Sequence, residues 1–292
     1  MARRNGPLKI IRYRIEWLGL KTLLVLIRLM PIDAASAMMG WFWRHLAPFN
    51  HRHKRAIANL QAAFPEKSSS ECEAIAGDMW ENLGRVTAET IQLDRIVADR
   101  SRFTFDLEKA RERIDGVGCV VVSMHSGNWE VTALGGIVAG HKPAGVYQAT
   151  KNPYSDREIH ELRQGLYPGG LFAKSHDTAR RILSIVRNHG MISFLADLRD
   201  FRGPKVPFFG RPAYATAFPA TIARGNKVPL IVTRVVREGG AKFRIEAKPL
   251  DYPITGDRKA DVEETTAMIH RQFEDWIREY PSQWMWIHRK WV

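Results

Sequence analysis

From about residue 102 onward the sequence alternates between two kinds of segment, and this alternation constrains the fold more than any other feature. Short runs rich in β-branched and aromatic residues read as strands at 103–107, 118–124, 145–149, 191–196, 230–236 and 243–250. Segments with helical spacing follow at about 129–139, 154–165, 177–188, 215–224 and 259–279. Strands that alternate with helices imply an α/β fold, with a mostly parallel central sheet covered by helices on both faces. The last two strands, joined across Arg237-Glu238-Gly239-Gly240, read instead as an antiparallel hairpin.

Residues 1–95 contain nothing strand-like. They predict an N-terminal helical anchor and helical layer, continuous with the α/β domain at 96–292. Ser70 and Glu73 have the spacing of a capping box at the start of a helix running to about Leu93. The segment 8–30 is apolar and ends at Pro31, but Lys9, Arg12, Arg14, Glu16, Lys21 and Arg28 interrupt it. A spanning helix needs roughly 20 apolar residues, and a Lys or Arg at its centre costs on the order of 3 kcal/mol. The expectation is therefore an interfacial or shallow anchor, with a core helix as the alternative.

Charge supports that placement. The chain carries 44 Lys and Arg against 31 Asp and Glu, a net +13. Residues 1–55 hold eleven of the basic residues and only two acids, Glu16 and Asp33. Such an excess draws anionic partners. Trp17, Trp41 and Trp43 within it favour anionic lipid over nucleic acid. The two cysteines, Cys72 and Cys119, are too few and too far apart for a disulfide framework or a metal site. They suit a reducing compartment, which places the rest of the chain in the cytoplasm.

The chemistry is expected where the strand at 118–124 ends. Cys119 to Val122 reads as a buried strand that stops at Met124; His125 follows, then Ser126, Gly127 and Asn128, and Glu130 opens the next helix. Carboxyl ends of strands are where open α/β sheets bind ligands. The intervening turn lets Glu130 reach back to the imidazole, so the pair suits base catalysis: the carboxylate fixes the tautomer and stabilises the imidazolium. Backbone N–H groups at the start of the next helix are candidates to receive an oxyanion. His270 and Asp275 repeat the spacing inside a helix, where five residues turn the chain by roughly 140°. That match is read as a surface accident. Ser126 lacks the Gly-x-Ser-x-Gly turn of a nucleophile.

Other strand ends supply further candidates. Tyr147 and Asn152 follow the strand at 145–149, and Arg163 lies on the next helix. Asp197 and Asp200 follow the strand at 191–196, without the third oxygen ligand or phosphate loop that a metal reading would need. No metal is expected. Val206-Pro-Phe-Phe-Gly-Arg-Pro reads as a stiff apolar loop, either the wall of an acyl-chain site or a plain crossover.

Taken together, these residues resemble the bacterial lipid A biosynthesis acyltransferases, the late lauroyl and myristoyl transferases within the glycerolipid acyltransferase group. The likeness covers nearly the whole chain. It includes Asn59-Leu60, Phe64-Pro65-Glu66, His125-Ser-Gly-Asn-Trp-Glu130, Asn152-Pro153, Arg163, Asp197 and Asp200, Val206-Pro-Phe-Phe-Gly210, and Pro281-Ser-Gln-Trp-Met-Trp-Ile-His-Arg289. The resemblance implies transfer of a fatty acyl group from acyl carrier protein to a hydroxyl of a lipid A precursor glycolipid. The place implied is the cytoplasmic face of the inner membrane, with no other cofactor. It makes His125 the base and Glu130 its partner. Asn128, Tyr147, Asn152, Arg163, Asp197 and Asp200 become substrate-binding candidates. The alternative is the same chemistry on another glycolipid, such as a phosphatidylinositol mannoside, with acyl-CoA as donor.

Overall fold

The alternation from residue 102 does build a sheet, in a computed structural model that describes residues 6–292, the side chain of His176 excepted. Helices α1 (Pro7–Arg28), α2 (Ile32–Leu46), α3 (His51–Ala63), α4 (Ser69–Ile91) and α5 (Leu93–Ala98) come first. Strand β1 (Phe103–Asp106) and α6 (Glu108–Ile114) follow, then β2 (Cys119–Ser123), α7 (Ala133–Val138), β3 (Pro143–Tyr147) and α8 (Pro153–Arg163). The chain continues through β4 (Gly170–Ala173), α9 (His176–Arg187), β5 (Met191–Leu195) and a hairpin of β6 (Lys205–Phe208) and β7 (Arg211–Tyr214). It ends with α10 (Phe218–Asn226), β8 (Leu230–Gly239), β9 (Lys242–Leu250) and α11 (Arg258–Glu279).

Seven strands form one sheet in the order β1-β9-β8-β2-β5-β3-β4. Five of them, from β8 to β4, run parallel. β9 turns back antiparallel on β8 through the expected hairpin, with β1 parallel to β9 at the edge. β2 is central and buried along its whole length, as its unbroken Val-Val-Val run requires. β2 and β5 pair in parallel with Ser123 opposite Leu195, so both chains leave the sheet side by side.

The helical layer is not separate from the sheet. One apolar cluster runs from Leu60 on α3 and Met79 and Leu83 on α4, through Val122, Ile192 and Val232 on the strands, to Phe273 on α11. The capping box of α4 sits two residues earlier than the sequence suggests. Ser68 accepts from the Glu71 N–H, and the Glu71 carboxylate accepts from the Ser68 N–H. The rival spacing at Ser70 and Glu73 falls inside the helix that this box starts.

Two segments differ from expectation for the same reason. Residues 205–214 form the two-stranded β6–β7 hairpin, and Phe208 and Phe209 are buried against Trp284, Trp286 and Trp291. The stretch is therefore a core hairpin rather than an acyl-chain wall or a crossover. His270 is also buried, held between the Thr266 carbonyl and the Lys290 ammonium, while Asp275 is exposed. The two side chains do point apart, but His270 is no surface residue. Burial drives its imidazole down to about 3 and the Lys290 ammonium down to about 8.

Candidate active site

The site is assembled by register. Ser123 and Leu195 are opposed at the ends of β2 and β5, and the Ala196 N–H donates to the Ser123 carbonyl. Two residues beyond each strand stand His125 and Asp197, facing each other. The His125 Nδ1 lies 2.8 Å from Asp197 Oδ1, and the His125 backbone N–H donates to Oδ2 at 3.0 Å. Trp284 Nε1 donates to the same Oδ2 at 2.9 Å.

The loop that carries His125 is clamped from below. Gly127 adopts φ +57°, and a Cβ there would come within 2.1 Å of the Val235 carbonyl, so only glycine fits. Its N–H donates to the Gln283 carbonyl, and the Met285 N–H donates to the His125 carbonyl. The C-terminal segment 283–285 thus runs alongside 125–127 and delivers Trp284 to Asp197. In the sequence the C-terminal tryptophans carry no signal beyond the resemblance, yet a buried indole N–H is a donor that needs an acceptor.

Asp197 is 1% exposed. Burial by itself would push its carboxyl up; the His125 charge, both His125 hydrogen bonds and the Trp284 bond outweigh it. The group lies well below the usual carboxylate range. An ionised Asp197 accepts a hydrogen bond from Nδ1–H, which leaves Nε2 as the basic nitrogen of a neutral imidazole. Nε2 has no hydrogen-bond partner among the described residues.

Glu130 does not reach the imidazole, contrary to expectation. Its carboxylate forms a two-pronged pair with Arg163, from Nε at 2.7 Å and a terminal nitrogen at 2.5 Å, and accepts from Trp129 Nε1 at 3.2 Å. The reason is local geometry. Residues 129–131 form a 3-10 turn that carries Glu130 past His125 to α8. The turn's N–H groups are occupied too: Glu130 donates to the Asn128 side chain, Val131 to the Asn128 carbonyl and Thr132 to the Trp129 carbonyl. Those three cannot receive an oxyanion.

The remaining candidates separate into two sets. Asn128 is fully buried, its amide nitrogen on Glu89 and its oxygen capping the turn, so it positions the loop and has nothing to offer a ligand. Asn152 is likewise committed: it caps α8 and donates to the Tyr13 carbonyl and Glu16 of α1. Tyr147 donates to Asp156 at 3.2 Å, and Asp200 accepts from the Arg202 N–H in a tight turn away from His125. Of the candidates, Glu130 and Arg163 line one space, with His125 and its partner Asp197 behind two rings of that lining, Trp129 and His288. Among the described residues no cluster of His, Cys, Asp and Glu could hold a metal ion.

That space is a cleft of about 480 Å³. Leu20 and Leu24 of α1, Leu83, Val86 and Ile91 of α4, and Ile159 and Leu162 of α8 make its walls apolar. It ends on Trp129 and His288, whose rings pack 5.1 and 6.4 Å from the His125 ring. Two of the walls, α1 and α4, come from the N-terminal helices, and α1 reads in sequence as an anchor. A face that lines a groove and one that meets lipid have the same composition, which is why the cleft was not legible.

A neutral imidazole braced by a buried carboxylate, packed against two rings that line a mostly apolar cleft, can deprotonate a hydroxyl beside a bound aliphatic chain. Comparison with known proteins agrees in kind. The chain is 25% identical over 301 residues to the lipid A biosynthesis myristoyltransferase of Escherichia coli (strain K12), covering 94% of this chain and 86% of that protein. It is 24% identical over 275 residues to a phosphatidylinositol mannoside acyltransferase of Mycobacterium tuberculosis (strain CDC 1551 / Oshkosh), covering 86% and 79%. The crystal structure of the 1-acyl-sn-glycerophosphate acyltransferase PlsC from Thermotoga maritima aligns over 84% of this chain and 97% of its own. Its TM-score is 0.38, at 13% identity. The family model for bacterial lipid A biosynthesis acyltransferases matches residues 1–292, and the chain belongs to that family of acyltransferases.

Proposed function

We propose that the protein transfers a fatty acyl group from an acyl thioester, carried on acyl carrier protein, to a hydroxyl of a lipid A precursor glycolipid. His125 Nε2 accepts the proton of the acceptor hydroxyl as its oxygen attacks the thioester carbonyl. The tetrahedral intermediate then expels the thiolate, which takes that proton back from the imidazolium. Asp197 stabilises the imidazolium between the two steps, and no covalent acyl-enzyme is needed. The observation that carries this reading is the His125–Asp197 pair packed behind Trp129 and His288, two rings that line a mostly apolar cleft of about 480 Å³. Arg163 and Glu130 border the same cleft, where they fix the wall beside Trp129.

The match to the mycobacterial enzyme favours a second reading, a phosphatidylinositol mannoside as the acceptor, for which the donor to be tested is acyl-CoA. One experiment addresses both. Purified enzyme in detergent is given acyl carrier protein and CoA thioesters of increasing chain length, each with a lipid A precursor and with a phosphatidylinositol mannoside. Acylated lipid A precursor, with KM falling as the chain lengthens, is the expected product. No transfer from any donor to either acceptor would overturn the proposal.

We place the enzyme on the cytoplasmic face of an anionic membrane, the bacterial inner membrane. Among the described residues no helix is long and apolar enough to cross one. α1 turns Tyr13, Leu24 and Ile27 inward, but leaves Leu8, Ile15 and Leu18, and Leu29 just beyond it, more than 60% exposed. Trp41, Phe42 and Leu46 on α2 and Phe49 just beyond it are exposed as well. An apolar surface of this extent beside a basic segment suits a bilayer interface. Leu18→Asp with Phe49→Asp is expected to weaken co-sedimentation with anionic vesicles by at least about tenfold. Unchanged binding would rule out this face as the contact.

A further inference from the structure

The cleft carries a cation that nothing in the proposed chemistry uses. Two arginines line the cleft, Arg52 and Arg163. Arg163 is clasped by Glu130. Arg52, in the first turn of α3, has no hydrogen-bond acceptor and no ion-pair partner for its guanidinium among the described residues. Only its backbone N–H is engaged, by the Asn50 cap. Two of its basic neighbours are already engaged: Arg55 donates to the Ile287 carbonyl, and His53 lies between Trp80 and Glu73.

Arg52 also stands close to the reacting end. It lines the same cleft as His288, whose ring packs beside His125, and its charge acts on that imidazole. Burial first, against the pull of Asp197, and then the charges of His125, Arg52 and Arg55 push the His288 imidazole down. His288 is thus held neutral, and neither of its ring nitrogens has a partner among the described residues. The cleft, mostly apolar but lined also by Glu158 and the Glu130–Arg163 pair, therefore presents a planar five-donor cation near an uncommitted imidazole, at the N-terminus of a helix.

Resting on the acyl-transfer reading, we infer that Arg52 and His288 bind a phosphate group carried by one of the two substrates, with the apolar chain in the cleft behind it. A guanidinium matches phosphate oxygens bidentately, and a neutral imidazole adds one N–H donor. The helix end contributes a favourable partial charge. The phosphate comes either from the pantetheine arm of the thioester donor or from the sugar of the glycolipid acceptor.

Binding without turnover separates these sources. Calorimetry would compare wild type and Arg52→Gln on four ligands: an acyl-phosphopantetheine thioester, the same thioester without phosphate, the phosphorylated glycolipid, and its dephosphorylated form. Arg52 is exposed and supports no other residue, so the variant should fold; a melting curve checks this. The expected result is a loss of about 10–100-fold in affinity for one phosphorylated ligand and none for its phosphate-free counterpart. Millimolar inorganic phosphate should compete in wild type only. The phosphorylated ligand that loses affinity names the source. His288→Phe, which keeps the ring and removes the donor, should reproduce a smaller loss on the same ligand. Equal binding of all four ligands by wild type and Arg52→Gln overturns the inference, as does an equal loss with and without phosphate. A loss confined to anionic vesicles assigns Arg52 to the bilayer and overturns it too. Because no step requires catalysis, failed acyl transfer with phosphate-dependent binding intact would sink the proposed reaction and leave this site standing.

Discussion

Asp197→Asn is expected to lower kcat for acyl transfer by roughly 10³–10⁴-fold, with both KM values nearly unchanged. The size of the effect follows from how the carboxylate is held. Oδ2 accepts from two fixed N–H donors, the His125 backbone and Trp284 Nε1, whereas Oδ1 meets His125 Nδ1. An asparagine must place its oxygen at the Oδ2 position to keep those two bonds, so its NH₂ falls opposite Nδ1. That group donates, Nδ1 must accept, and the imidazole proton moves to Nε2, where the base is needed. The variant should fold and bind substrates but hold the wrong tautomer. Glu130→Gln is the decisive comparison, since its carboxylate is on Arg163 and not on the imidazole. A variant at Glu130 that abolished kcat beside a near-normal Asp197→Asn would reverse the assignment. An acid titration gives an independent check. The folded-state carboxyl of Asp197 lies below its ordinary value of about 3.9, so its stabilisation is in place above that value and lost as pH falls through the folded one. In Asp197→Asn that part of the acid limb, below about pH 4, should be missing from the denaturation curve.

This assignment marks where the sequence is legible and where it is not. The expected strands at the centre of the sheet are present, because a run such as Cys119–Val122 has one stable environment, covered on both faces. The short β4, β6 and β7 went unread, since four residues carry too little periodicity and β6 holds a proline at Pro207. His125 was legible from its place after a strand. Its partner was not, because two carboxylates were available and sequence distance favoured the wrong one. Glu130 is five residues away and Asp197 seventy-two, yet the parallel register of β2 on β5 puts Asp197 beside the ring. Nothing local encodes that register. The same holds for Trp284, which reaches Asp197 from the far end of the chain, and for the cleft, whose walls come from three helices separated in sequence.

Glu89→Ala should cost about 3–5 kcal/mol and lower the melting temperature by roughly 6–20 °C, although Glu89 touches neither His125 nor the cleft. The residue is 1% exposed on α4 and accepts from four groups: Ser36, Asn128 and two nitrogens of Arg237. Arg237 also donates to Asn82, which itself donates to the Gly127 carbonyl. Removing the carboxylate strands a buried guanidinium and leaves Asn128 without its acceptor, so the loss is far above that of a surface pair. Asn128 and Gly127 belong to the loop that carries His125, and kcat should therefore fall with stability. A second variant separates the two effects. In Glu89→Leu with Arg237→Met the buried charges are replaced together by apolar groups, which should restore much of the stability. It cannot restore the acceptor for Asn128 or the donor to Asn82, so the loop above them stays unanchored. The double variant is expected to melt nearer wild type than Glu89→Ala while its kcat stays low. Full recovery of both would mean that the network serves stability alone. Recovery of neither would mean that the two ions are needed for more than their mutual neutralisation. Of the three outcomes, only stability without activity fits a polar network whose purpose is to hold His125 in line with Asp197.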